Sequence, residues 1–283
     1  MLPTRPNMTA FVFLHGFAQT PRSWDAVACA LQEAGHRTYV LDLYGAALEA
    51  PSADEGAESG PSSVPGDSLA SLGAVCDRVA ATVRTVAAVE GAPVLVGYSM
   101  GGRIAAETVV RHPDLPLAGL VLESAGLGPA DEAARAALAQ RNGEWAARLR
   151  REGVEAFMDW WEMLPLFSSQ RELPAPVREA VRAERCAHDA EALALSLERW
   201  GAHEQASEPE TLAALEYARE QALPVLYVAG AKDAKYVAVA ERVRAHGVPV
   251  ALVEGAGHNV HLEQPEAFAA LLREKLAFLT SKT

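Results

Sequence analysis

The stretch Val94-Leu95-Val96-Gly97-Tyr98-Ser99-Met100-Gly101-Gly102-Arg103 constrains this chain more than any other, because an apolar run feeds a serine that has a glycine two residues away on each side. G-x-S-x-G is the pattern of a nucleophile elbow. The strand turns so sharply into the next helix that the serine side chain is left exposed, and the small flanking residues let the backbones pass. Such a pattern requires a strand before it and a helix after it. Pro93 opens a short β-branched run, and Ile104 to Val110 is compatible with a helix that His112-Pro113 stops.

The rest of the chain supplies the same grammar. Short apolar runs at Phe11–Leu14, Thr38–Leu41, Val94–Val96, Leu117–Leu122, Val225–Ala229 and Val250–Val253 read as buried strands, separated by longer segments of helical spacing. That alternation predicts βαβ units and an α/β fold with a mainly parallel central sheet, covered by helices on both faces. Between Tyr44 and Ser71 the composition shifts to Ala, Ser, Pro, Gly and acids without apolar period, which reads as a long surface loop. From Ala130 to about Tyr217 the strand signal vanishes, and Ala, Leu and Trp recur every three or four residues among Arg and Glu. The expected division is therefore a core of residues 1–126 and 221–283 with a helical cap or lid inserted at 127–220. An insertion at the carboxyl ends of parallel strands lies over the crevice where such sheets bind ligands.

Composition narrows the function classes. With 283 residues, half of them hydrophobic, the chain can bury a sizeable core as one large domain carrying an insertion. Lys+Arg 25 against Asp+Glu 37 gives a formal charge of −12, which argues against nucleic acid or an anionic membrane surface as a partner. Any anion bound here must meet a local cationic pocket. Cys29, Cys76 and Cys186 are an odd number and widely spaced, so they read as structural thiols in a reducing compartment. The apolar stretch Ala10 to Leu14 is too short for a signal-peptide core, and no run approaches a transmembrane length. A cytoplasmic monomer or homodimer is the expectation. Met8 is an alternative start to Met1, because nothing before it reads as structure. No dinucleotide fingerprint or metal-ligand spacing is present, so neither a cofactor nor a metal is expected.

A serine hydroxyl is a poor nucleophile and base at neutral pH and needs an imidazole partner oriented by a carboxylate. After the strand ending at Ala229 comes Gly230-Ala231-Lys232-Asp233, and after the strand ending at Val253 comes Glu254-Gly255-Ala256-Gly257-His258. Ser99, Asp233 and His258 thus fall in the order serine, acid, histidine, each just beyond a strand's carboxyl end, which puts them on one edge of the sheet. Glu123 follows another strand and is a rival acid, read here as a capping or surface carboxylate. The oxyanion donors of such an elbow are the backbone N–H after the serine, Met100, and one from the loop after the first strand, most simply Phe17. His15, in the same loop, reads as a structural residue.

Four stretches together resemble the 2-succinyl-6-hydroxy-2,4-cyclohexadiene-1-carboxylate synthase family of the α/β-hydrolase superfamily. They are Gly97–Arg103, Trp161–Phe167, Gly230–Tyr236 and Ala256–Pro265, the last reading G-H-N-x-H-x-E-x-P from Gly257. The resemblance implies a menaquinone-biosynthesis lyase without cofactor that eliminates pyruvate from a substrate bearing three carboxylates. It also implies substrate-binding roles for Tyr98, Arg103, Trp161, Arg185 and Lys235. Arg suits such a ligand because its planar fork engages a carboxylate through two hydrogen bonds. The chain departs from the family where Asp42-Leu43-Tyr44-Gly45 runs into the low-complexity loop, and a second cap arginine has two candidates, Arg135 and Arg141. In this reading Ser99 acts as general base. The alternatives are a hydrolase of an ester, thioester or carbon–carbon bond working through an acyl-serine, and a non-catalytic small-molecule receptor on the same scaffold.

Overall fold

The computed structural model describes residues 8–45 and 70–280. Residues 46–69, on which most of the expected surface loop falls, and residues 1–7, on which the choice of start falls, lie outside that range. Among the described residues six strands form one sheet: β1 (Ala10–Leu14), β2 (Arg37–Leu41), β3 (Val94–Tyr98), β4 (Gly119–Glu123), β5 (Val225–Gly230) and β6 (Val250–Val253). Their order is β2-β1-β3-β4-β5-β6, and every pairing is parallel.

Period-two alternation along the inner strands divides the interior into two cores. Val12, Leu14, Leu95, Leu120, Leu122 and Tyr227 face one layer, to which α2 (Leu72–Glu90), α3 (Met100–Arg111) and α8 (Ala234–Ala245) contribute. Phe11, Phe13, Val94, Val96, Val121 and Val228 face the other, built with α1 (Asp25–Glu33) and α10 (Pro265–Thr280). The four inner strands are wholly buried, as their uninterrupted apolar runs predict. The edge strands β2 and β6 are not, contrary to that reading. Arg37 is exposed and most of both strands is half-buried, because an edge strand has one neighbour and only partial helical cover.

The chain enters the sheet at β1, steps outward to β2, then crosses to β3 on the other side of β1. The loops leaving β1 and β3 therefore diverge, and the gap between their carboxyl ends is the topological switch point where open α/β sheets bind ligands.

Between β4 and β5 the strand signal is absent, as expected. That stretch holds α4 (Glu132–Trp161), kinked at Gly153, then α5 (Ala175–Cys186), α6 (Ala190–Arg199) and α7 (Glu208–Glu220). Asp131, Asp189 and Ser207 cap α4, α6 and α7 by accepting backbone N–H bonds, and Ser207 with Glu210 completes a capping box. α4 and α6 pack on each other, whereas α7 packs against α3 and β5. A four-residue helix, α9 (Val260–Glu263), follows the loop after β6. Cys29 is exposed, Cys76 buried and Cys186 half-buried, all as free thiols. No helix among the described residues is long and apolar enough to cross a membrane.

Candidate active site

The turn from β3 into α3 is built on close backbone approach. A Cβ on Gly97 would sit 2.4 Å from the Gly101 carbonyl oxygen, and one on Gly101 would sit 2.3 Å from that of Leu14. Only glycine fits at either position. Ser99 between them has φ +51° and ψ −106°, a left-handed conformation that costs a non-glycine residue on the order of 1–3 kcal/mol. Strain of this kind persists when the surroundings fix it, and here the Ser99 N–H is held by the Glu123 carbonyl at 2.8 Å.

Three loops at the carboxyl edge converge on that hydroxyl. His258 Nε2 lies 3.1 Å from Ser99 Oγ, and His258 Nδ1 lies 2.9 Å from Asp233 Oδ2. Asp233 keeps its other oxygen on the Tyr236 N–H at 3.2 Å, capping α8, so the carboxylate is fixed from both sides. Both side chains are buried, and His258 is enclosed by the rings of Tyr98, Phe167 and Tyr236 at 5.3, 6.0 and 4.7 Å. Chemically this is a proton relay: a hydroxyl, an imidazole able to take its proton, and a carboxylate that fixes the ring's orientation and tautomer.

The first intrahelical bond of α3 runs from Arg103 N to Ser99 O at 3.0 Å, so the N–H of Met100 has no acceptor within the helix. Phe17 stands on the opposite loop, after β1, in a turn closed by the Gly16 N–H on Gln19 Oε1 at 2.9 Å. His15 is fully buried. Its Nε2 accepts from Leu43 N at 3.0 Å and its Nδ1–H donates to the Gly16 carbonyl at 2.9 Å, which ties the loops after β1 and β2 together and fixes the tautomer.

Near the relay α3 and the cap each contribute a cation. Arg103, one turn beyond Ser99, is half-buried and donates from Nη1 to the Trp200 carbonyl at 2.7 Å and to Gln205 Oε1 at 3.5 Å. Burial pulls its pKa down to about 10; Tyr236 opposes that shift and Arg141 adds to it. Arg141 on α4 is half-buried too, hydrogen-bonded to Asn142 Oδ1 at 3.2 Å and stacked over Trp145 at 4.8 Å, with its pKa lowered by burial against Tyr236. Neither guanidinium is ion-paired to a carboxylate among the described residues.

The other candidates divide. Trp161 is buried, with its ring 5.4 Å from Phe17 and 4.2 Å from Phe167. Arg185 is buried behind it, ion-paired to Glu162 at 2.9 Å, bonded to Gln170 at 3.0 Å and 5.3 Å from the Trp161 ring. Tyr98 is buried beside His258, and burial pushes its phenol pKa well above the usual value while the Arg185 charge opposes. Lys235 is exposed at the rim, 5.0 Å from the Tyr236 ring. Arg135 is committed to the carbonyls of His203 and Gln205, which leaves Arg141 as the cap arginine without such commitments. Among the described residues no group of His, Cys, Asp and Glu could hold a metal ion.

Residues 11–271 match the alpha/beta hydrolase family. A protein of Salmonella agona (strain SL483) named 2-succinyl-6-hydroxy-2,4-cyclohexadiene-1-carboxylate synthase is 33% identical over 279 residues, covering 96% of this chain and 97% of its own. The chain belongs to that synthase family, on an α/β-hydrolase fold. Among solved structures, MenH from S. aureus superposes with TM-score 0.80 at 25% identity, covering 98% of this chain and 96% of its own. A thermophilic esterase from Thermogutta terrifontis follows at TM-score 0.73 and 25% identity, covering 96% and 90%.

Within the synthase family's fold, one sequence expectation needs correcting. Glu123 is neither a cap nor a surface carboxylate. It is fully buried, and accepts from His261 Nδ1 at 2.7 Å and from the His261 N–H at 3.1 Å, with the His261 ring stacked on Trp24 at 3.8 Å. A buried carboxylate needs such a partner, and Glu123 gains it from the short helix α9, 138 residues away, which no local pattern announces. Sequence reading also passed over Tyr236 and Glu263 as site residues, although both stand inside the stretches that carry the family resemblance.

Proposed function

We propose that this protein eliminates pyruvate from 2-succinyl-5-enolpyruvyl-6-hydroxy-3-cyclohexene-1-carboxylate to give 2-succinyl-6-hydroxy-2,4-cyclohexadiene-1-carboxylate. The observation that carries this reading is the pair Arg103 and Arg141, half-buried within electrostatic reach of Tyr236, whose ring packs on His258, and without carboxylate partners among the described residues of a chain of net charge −12. Desolvating a cation without an anion is costly, and a surface rich in acids offers many ways to neutralise one. A polycarboxylate ligand supplies the missing charge. A simple ester supplies none.

In the proposed mechanism His258, oriented by Asp233, takes the proton of Ser99, and the serine oxygen removes the proton on the ring carbon next to the succinyl ketone. Charge developing on the ketone oxygen is stabilised by the N–H groups of Met100 and Phe17, preorganised dipoles worth several kcal/mol in a water-poor site. The electron pair moves through the ring double bond, the carbon–oxygen bond to the enolpyruvyl group breaks, and pyruvate leaves as its enolate and is reprotonated. Arg103 and Arg141 hold carboxylates so that the reacting proton faces Ser99, a positioning effect that can be large. Tyr98, Trp161, Arg185 and Lys235 shape the remaining wall. Of the insertion at 127–220, α4 to α6 form the cap proper, and α7 anchors it to the core.

The test is to compare the rates at which the purified protein releases pyruvate from the enolpyruvyl substrate and hydrolyses p-nitrophenyl acetate. A kcat/KM at least about a thousandfold higher for pyruvate release is expected, the order by which a positioned, charge-matched substrate exceeds an unpositioned one. Rapid ester turnover without pyruvate release would instead place the protein among the acyl-serine hydrolases.

A further inference from the structure

The relay is held by more than its own hydrogen bonds. Glu263, at the end of α9, turns its carboxylate back along the chain and accepts the N–H of Gly257 at 2.7 Å through Oε2 and the N–H of Asn259 at 3.2 Å through Oε1. Those amides flank His258. One carboxylate therefore clamps the backbone on both sides of the imidazole, while Asp233 holds only the ring. Two charge-assisted bonds from one group fix position and orientation together.

The same carboxylate meets the cap. The Ser169 hydroxyl stands beside it and favours its ionised form, and lies so close to Gly257 that a Cβ on that glycine would sit 2.0 Å from Oγ and 3.3 Å from Glu263 Oε2. On either side of Ser169 the cap makes two further contacts with the relay's loops. The Phe167 ring stands 6.0 Å from the His258 ring, and Glu172 is ion-paired at 2.7 Å to Lys232, the neighbour of Asp233. The segment from Phe167 to Glu172 thus sits on both the histidine loop and the acid loop. A rigid cap tied there and a free cap would leave His258 differently constrained.

We propose that Glu263 is a positioning residue for the Ser99–His258–Asp233 relay, and that through Ser169 it couples the docking of the cap to the placement of His258. This rests on reading those three residues as the relay. Glu263 itself touches no substrate. Burial favours its neutral form, and the two amides and Ser169 oppose that by favouring the carboxylate, so the clamp and the cap contact maintain each other.

The experiment measures the relay without the natural substrate: the second-order rate at which a small alkyl fluorophosphonate labels Ser99, a reaction in which the serine oxygen attacks phosphorus, fluoride leaves and His258 takes the proton. In Glu263→Gln an amide NH₂ faces one of the two N–H donors. Labelling and kcat are expected to fall together by about tenfold or more, with KM within about twofold. In Ser169→Ala, which leaves both backbone bonds intact, labelling is expected to fall by about two- to fivefold. A folded Glu263→Gln protein that labels at the parent rate overturns the positioning role, and parent-rate labelling in Ser169→Ala overturns the coupling to the cap. If Glu263→Gln does not fold, Ser169→Ala decides. Because labelling needs no enolpyruvyl substrate, failure of the parent protein to release pyruvate would sink the proposed reaction and leave this test standing.

Discussion

Ser99 carries a local cost that only its hydroxyl justifies. Its φ of +51° is a conformation that glycine adopts freely, so Ser99→Gly removes strain of about 1–3 kcal/mol against a loss of about 1 kcal/mol in chain entropy. The variant is expected to be inactive yet to melt no lower than the parent; a drop of several degrees in Tm would show that the elbow is not strained. Arg141 makes the complementary case. Replacing it with Met removes a half-buried guanidinium that has no carboxylate partner among the described residues, so Tm should stay level or rise while KM for the substrate rises at least about tenfold, the worth of one charge-assisted carboxylate contact. Loss of stability with KM unchanged would make Arg141 a structural residue.

At the scale of elements, the seam between cap and core contains a second titrating group. His188, in the turn between α5 and α6, packs its ring against Tyr44 at 5.0 Å and buries Nε2 without a partner among the described residues. Burial pulls its pKa down to about 4, and the nearby His15 adds to that, while Asp42 and a backbone bond with Gln19 oppose it. Between about pH 6.5, where the unfolded residue titrates, and about pH 4, the unfolded chain binds more protons than the folded one, so acidification costs stability. The contribution is at most about 1.4 kcal/mol per pH unit and is complete above the unfolded pKa. Urea unfolding across that window should show a shallower pH slope in His188→Phe, and an unchanged slope would mean that His188 is solvated. What the sequence made legible at this scale was whatever a local pattern encodes. The strands showed as apolar runs, the elbow as glycine spacing, and the acid and histidine as residues just past strand ends. Whether Arg135 or Arg141 faces the site depends on how α4 lies over α6 and the 203–205 segment. The Glu123–His261 pair depends on a contact across 138 residues, and neither leaves a trace in neighbouring sequence.

For the molecule as a whole, the doubly wound sheet brings loops from β1, β3, β5 and β6 to one edge, the helical insertion covers it, and Arg103 of α3 and Arg141 of the insertion have no carboxylate partner among the described residues of a chain of net charge −12. The fold supplies a relay that serves a base or a nucleophile equally well, and in the proposed reading the cations select between those uses. The decisive measurement is a single turnover of substrate deuterated on the ring carbon beside the ketone, with pyruvate and the intact mass of the quenched enzyme followed together. The account predicts slower pyruvate release than from the undeuterated substrate and an unmodified Ser99; an acyl adduct on Ser99, with release indifferent to deuterium, would contradict it.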